Sequence, residues 1–194
     1  MKNIIIFGAP GSGKGTYSAT IAERYGMAHI STGDVLRAEI KNGTELGTIA
    51  KGYIDKGQLI PDPLMIDILA RQYDSHPSGK GVIFDGFPRT IAQAEALKQM
   101  LAERGDDLGM MIELIVAEDV LMERLLRRAQ LEGRADDNED TIRKRFAVYH
   151  SQTEPLSKWF DAQGIRHTFD WSICKTKEGM LEAIFAEIER QNPS

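Results

Sequence analysis

The chain has 194 residues, 42% hydrophobic and 27% charged, which bounds a globular domain long enough to bury a core. A formal net charge of −5 argues against a surface given over to nucleic acid. One cysteine, Cys174, forms no internal disulfide, and His29, His76, His150 and His167 show no metal-ligand spacing with it.

The first element is a short buried strand, Ile4-Ile5-Ile6-Phe7, whose apolar run is too brief for a signal peptide or a membrane span. The expectation is therefore a cytoplasmic protein. Helix is predicted from Lys14 to Arg24, ending at Gly26, then a brief strand at Ala28-His29-Ile30. Two or three helices follow between Ser31 and Tyr73. Gly81-Val82-Ile83-Phe84-Asp85 is the next strand, with a helix from Ile91 to Arg104. Met110 to Val116 reads as strand, Asp119 to about Gln130 as helix, and a long helix starts near Asn138. A last strand runs from Ile165 to Phe169, and a closing helix from about Lys177 to Arg190. Repeated strand–helix alternation predicts an α/β fold with a mostly parallel, mostly five-stranded sheet covered on both faces. Helices near 31–60 and the polar stretch RRAQLEGRADDNED (127–140) interrupt the alternation as excursions from one core.

Three segments carry chemistry. GAPGSGKGT (8–16) leaves the first strand and enters a helix. Its glycines let backbone N–H groups turn toward an anion, and the helix N-terminus favours negative charge. It departs from the phosphate-loop pattern G-x-x-x-x-G-K-[ST], because Gly15 delays the hydroxyl to Thr16. GVIFDGFPRT (81–90) puts Asp85 at the end of a buried strand, where a carboxylate organises Mg²⁺ through water, and Arg89 just beyond. Thr90 and Gln93 also form a capping box, which explains Gln93 without function. ISTGDVLR (30–37) repeats the arrangement: Ser31 and Asp34 read as a capping box, leaving Thr32 and Arg37. An arginine one turn into a helix opposes the dipole unless an anion sits nearby, which suggests a second phosphate site.

Six arginines lie between 124 and 145: Arg124, Arg127, Arg128, Arg134, Arg143 and Arg145. Alone they read as a solvated face with i,i+4 ion pairs. Beside a nucleotide loop they read as phosphate ligands, with Arg124 and Arg128 on one helical face and Arg145 bordering the stripe Ile142-Phe146-Tyr149.

Together with GQLIPD (57–62) and GRADDNEDTIRKR (133–145), these motifs stand in the order found in adenylate kinases, within the nucleoside monophosphate kinase family, which the chain closely resembles. That family's loop ends G-K-G-T, so Gly15 is a family mark. The resemblance implies a P-loop three-layer fold as a single kinase domain over 1–194. It comprises a core (1–30, 61–126 and 138–194), a helical AMP-binding insertion (31–60) and a short lid (127–137). It implies reversible Mg²⁺-dependent transfer from ATP to AMP, giving two ADP.

By the same resemblance Gly11, Ser12, Gly13, Lys14, Gly15 and Thr16 hold the ATP phosphates, and Lys14 neutralises transition-state charge. Arg124 lies against the ATP adenine and Arg128 on its phosphate. Thr32, Arg37, the Gln58-Leu59-Ile60 backbone, Gly86, Phe87, Pro88, Arg89 and Gln93 form the AMP site. Arg134 and Arg145 close on the phosphates, and Asp85 supports Mg²⁺ carried by ATP, with no structural zinc and no direct metal ligand. The family's adenine-contacting loop near the C-terminus is small or glycine-containing; here it is DWSICKTKEG (170–179), with Lys175 matched by position. The expected partners are ATP, AMP and ADP, not nucleic acid or membrane, for a monomer. The alternatives are a UMP/CMP kinase on the same fold, which Thr32 and Gln93 disfavour, and a nucleotide-gated switch without transfer.

Overall fold

The computed structural model describes residues 3–56, 58, 60–76, 79–133 and 138–193. Five strands form one parallel sheet: β1 (Asn3–Phe7), β2 (Ala28–Ser31), β3 (Val82–Asp85), β4 (Leu108–Ile115) and β5 (Arg166–Asp170), in the order β2-β3-β1-β4-β5. Parallel neighbours need crossover connections, and the helices supply them. They are α1 (Lys14–Tyr25), α2 (Thr32–Lys41), α3 (Glu45–Asp55), α4 (Asp62–Asp74), α5 (Ile91–Ala102), α6 (Glu118–Glu132), α7 (Glu139–Ala162), α8 (Trp171–Cys174) and α9 (Lys177–Gln191). The predicted α/β architecture is borne out, with boundaries shifted by a residue or two. Sequence reasoning missed α8, whose four residues are too few to show a period.

Strand alternation divides the core between the two faces. Ile5, Phe7, Phe84 and Met111 pack with Ile68, Leu97, Leu156 and Phe160 of α4, α5 and α7. Ile4, Ile6, Ile83, Met110 and Ile112 pack with Tyr17, Ile21, Met180, Ile184 and Ile188 of α1 and α9. A smaller cluster joins Leu121 and Leu125 of α6 to Ile142 and Phe146 of α7, the stripe expected for that helix. Each side of the sheet is thus sealed by helices, and the strand ends are what remain for a ligand.

The register places the chemistry. Ile6 of β1 lies opposite Asp85 of β3, and Ser31 of β2 opposite the same Asp85. All three loops singled out above therefore leave the sheet at its carboxyl edge, side by side. The helices of the insertion also cross closely: a Cβ on Gly47 of α3 would stand 2.1 Å from the Glu39 carbonyl oxygen of α2, so only glycine fits that crossing.

Candidate active site

The loop between β1 and α1 turns through Gly11 and Gly13, whose φ values of +85° and +87° belong to the left-handed region glycine tolerates. Gly13 is the N-cap of α1 and offers no side-chain cap, and the first turn holds no acidic residue. Its leading N–H groups are thus unsatisfied from within the helix and point beyond its end. Ser12 is buried, and its Oγ has no hydrogen-bond partner. An orphaned buried hydroxyl beside free amides fits an anionic ligand.

Lys14 begins α1, and its Nζ lies 2.5 Å from Asp85 Oδ1, while His29 Nε2 lies 3.1 Å from Asp85 Oδ2. Burial would raise the Asp85 carboxyl, but the hydrogen bonds from His29 and Lys14 outweigh it and hold the group below the ordinary carboxylate value. Asp85 thus stays ionised in a nearly dry position. A single hard carboxylate suits Mg²⁺ arriving on a polyphosphate with its waters, since that ion keeps several waters and takes few protein ligands. Among the described residues no group of three or more His, Cys, Asp or Glu is placed to hold a metal ion directly.

Beyond Asp85 the chain turns at Gly86, where φ is +83° and an added Cβ would stand 2.9 Å from Thr32 Oγ1. The Phe87–Pro88 peptide is cis. The Gly86 carbonyl accepts from Thr32 Oγ1 at 3.3 Å and from Arg89 Nε at 3.1 Å, so this turn and the start of α2 are tied together.

Gln93 is engaged at both ends: Oε1 accepts from the Arg89 backbone N–H at 2.8 Å, and Nε2 donates to Asp62 Oδ1 at 2.8 Å. Thr90 caps α5 by accepting from the Gln93 N–H, as expected, but the reciprocal bond goes to Arg89. The box expected at Ser31 does not form, because the Ser31 side chain makes no capping bond. Asp34 instead turns to Arg37, which hydrogen-bonds it one helical turn on. The anion sought for Arg37 is thus, in this state, a carboxylate of its own helix.

A cleft of about 870 Å³ gathers the loop residues Gly11, Ser12, Gly13, Lys14, Gly15 and Thr16 with Gly86, Pro88, Arg89, Arg124, Arg128 and Arg145. Arg124 donates from Nη1 to the Gly11 carbonyl at 3.2 Å, and its guanidinium lies 4.4 Å from the Trp171 ring centroid. Tyr149 also lines the cleft; burial, with the Glu113 carboxylate nearby, pushes its phenol up to about 12, so it adds no negative charge there. Sequence reasoning missed Lys144 and Gln152 on the cleft wall, and placed Tyr149 only in the core stripe of α7. Lys144, next to Arg145, carried a signal in its charge; Gln152 carried none.

Thr32, Arg37, Phe87, Gln93, Gln58, Ile60 and Lys175 are outside the lining of this cleft. Thr32 still reaches its edge through Gly86. Gln58 donates its backbone N–H to the Tyr53 carbonyl, and Ile60 packs against the core. Lys175 caps α8 at φ +61°, the left-handed backbone usual for glycine, and its N–H donates to the Trp171 carbonyl at 2.8 Å. Leu59 and Arg134, with residues 135–137 of the expected lid, lie outside the described residues.

The family model for adenylate kinase matches residues 6–165. The chain is 72% identical over 189 residues to an adenylate kinase of Bacteroides thetaiotaomicron, covering 97% of this chain and 96% of that protein. It is 62% identical over 189 residues to one of Phocaeicola vulgatus, with the same coverage. An adenylate kinase of Porphyromonas gingivalis shares 52% over 167 residues, 86% of each chain.

Proposed function

The chain belongs to the adenylate kinase family, and from that premise we propose that it moves the terminal phosphoryl group of MgATP to AMP, reversibly, giving two ADP. The observation that carries this reading is the meeting of Lys14 with Asp85 at the mouth of an uncapped helix, in a cleft also lined by Arg89, Arg124, Arg128 and Arg145.

Phosphoryl transfer demands placement and charge neutralisation more than covalent catalysis. The loop amides and Lys14 take the ATP phosphates, with Arg128 on the same helical face as Arg124. Arg89 holds the AMP phosphate, whose oxygen attacks; that oxygen is already anionic near neutral pH, so the transfer needs no general base. Arg145, with Arg134, neutralises the charge that spreads over the moving group. Lys14 turns to phosphate, and Asp85 is the residue that would hold, through water, the Mg²⁺ carried by ATP, which would screen the phosphate oxygens.

On the AMP side, Thr32, Arg37, the 58–60 backbone, Gly86 to Arg89 and Gln93 receive the nucleotide. Gln93 can offer a donor and an acceptor to the adenine edge once it leaves Asp62. Residues 31–60 then act as the AMP-binding insertion and 127–137 as the lid that excludes water, as lids of this kind do. The protein works as a monomer in the cytoplasm; the lone cysteine supports the compartment. No helix among the described residues is long and apolar enough to cross a membrane.

The test is to incubate the protein with MgATP alone and then with AMP, CMP or UMP, separating the nucleotides. ADP formed rapidly only with AMP supports the reading. Equal turnover with CMP or UMP would mean that Thr32 and Gln93 do not select adenine, and no transfer at all would leave a nucleotide-binding switch.

A further inference from the structure

We propose that Trp171 is a positioning residue of the ATP site: it forms the floor of a three-layer stack of indole, Arg124 guanidinium and adenine. This rests on the reading of Arg124 as the adenine contact. Trp171 directly follows β5, at the carboxyl edge of the sheet where ligands bind. Two contacts hold it in place. Asp170 caps α8 by accepting from the Ser172 N–H at 2.8 Å, and the indole packs against the core cluster of α1 and α9. The ring therefore has little freedom to follow a mobile partner.

Arg124, which lines the cleft, reaches that ring from α6. Its guanidinium stands 4.4 Å from the ring centroid, and Nη1 donates at 3.2 Å to the carbonyl of Gly11 in the phosphate loop. No carboxylate of the described residues pairs with it. An arginine on a flexible stem would spread over many rotamers and lose that freedom on binding a base. Here an aromatic face and a loop carbonyl hold it in advance. A guanidinium is planar and has two faces. With indole against one, the other is presented as a flat cationic surface, and a purine stacks on it by the same attraction. The stack links the adenine subsite to the phosphate loop through Gly11, so base and phosphates are placed by one connected structure.

The experiment is calorimetric titration of MgATP, and separately of AMP, into the unaltered protein and the variants Trp171→Leu, Trp171→Phe and Arg124→Ala, with Trp171→Leu also in the Arg124→Ala background. Leucine keeps the apolar packing against α1 and α9 and removes the ring face; phenylalanine keeps a ring. Trp171→Leu is expected to weaken ATP binding about fivefold and Trp171→Phe less than about twofold, with AMP affinity unchanged. In the Arg124→Ala background the Trp171→Leu effect should vanish, because the layer it supports is gone. An equal loss in both backgrounds, an equal loss for leucine and phenylalanine, or a parallel loss of AMP affinity would each overturn the stack. ATP binding indifferent to Trp171→Leu would overturn the stack alone; failure of the unaltered protein to bind ATP would remove the phosphotransferase reading with it.

Discussion

The two halves of the site hold their cations in different ways. On the proposed ATP side, Lys14 rests on Asp85 with side-chain exposures of 29% and 9%, between a glycine loop and the sheet edge. On the proposed AMP side, Arg37 rests on Asp34 with both side chains 73% exposed, and Gln93 links the start of α4 at Asp62 to the Arg89 turn. The half-buried pair is costly to part unless a new partner replaces the old, since Asp85 would otherwise be left a desolvated charge. The exposed pair is worth little and opens easily. One half of the site is therefore built before ligand arrives, whereas the other is held closed on itself by weak contacts that a ligand can take over.

The comparison breaks if both halves respond alike to mutation. The largest expected effect is on rate: Lys14→Met and Arg89→Ala should each lower kcat about a thousandfold, measured by coupled ADP formation. A loss under tenfold for both would remove their phosphate roles. Only the first should also reduce stability, by about 1–3 kcal/mol in denaturant, discounted because Lys14 is part-exposed and His29 stays on Asp85. Next, Arg37→Ala should cost about 10- to 100-fold in kcat/KM for AMP and leave the melting temperature unchanged. A fall in Tm like that of Lys14→Met would erase the contrast.

A smaller effect sharpens it. Asp62→Ala frees the Gln93 amide, so KM for AMP should fall about threefold with kcat held. A raised KM would instead mean that Asp62 keeps Gln93 in its productive pose. The smallest effect concerns acid. Asp85 is ionised to lower pH in the fold than when unfolded, so its contribution is full above the unfolded carboxyl value, about 3.9, and is lost as pH falls through the lower folded value. Asp85→Asn should therefore flatten the decline of Tm below about pH 4; an unchanged slope would mean that other carboxylates govern it.

Much of this was legible because it is local. Ile4 to Phe7 and Val82 to Phe84 are unbroken apolar runs, the first followed by Gly8 and the second by Asp85 and Gly86, and parallel pairing brings their ends side by side, with Lys14 near Asp85. The same holds for α7, whose buried Ile142 and Phe146 follow the helical period. What was not legible depends on partners that no spacing rule connects. Ser31 and Asp34 have the letters of a capping box, yet Arg37 draws Asp34 away. Gln93 finds Asp62, 31 residues earlier, and Arg124 finds Gly11, 113 residues earlier; such contacts exist only once helices have packed. Trp171 reads in sequence as one more apolar residue, and becomes a platform only when Arg124 is seen above it.

Lys14 resting on Asp85 also bears on how the protein meets the salt of its surroundings. A bare cation in a cleft draws a cloud of small anions that a nucleotide must displace, and its affinity then falls steeply with ionic strength. Lys14 already carries its counter-charge as a covalent part of the fold. On the proposed reading, Lys14 would pass to phosphate and Asp85 would hold the metal that MgATP carries, an exchange of partners in which few mobile ions are taken up or released. The first half of the site is therefore buffered against changes of ionic strength, and sensitivity to salt is left to the exposed arginines across the cleft.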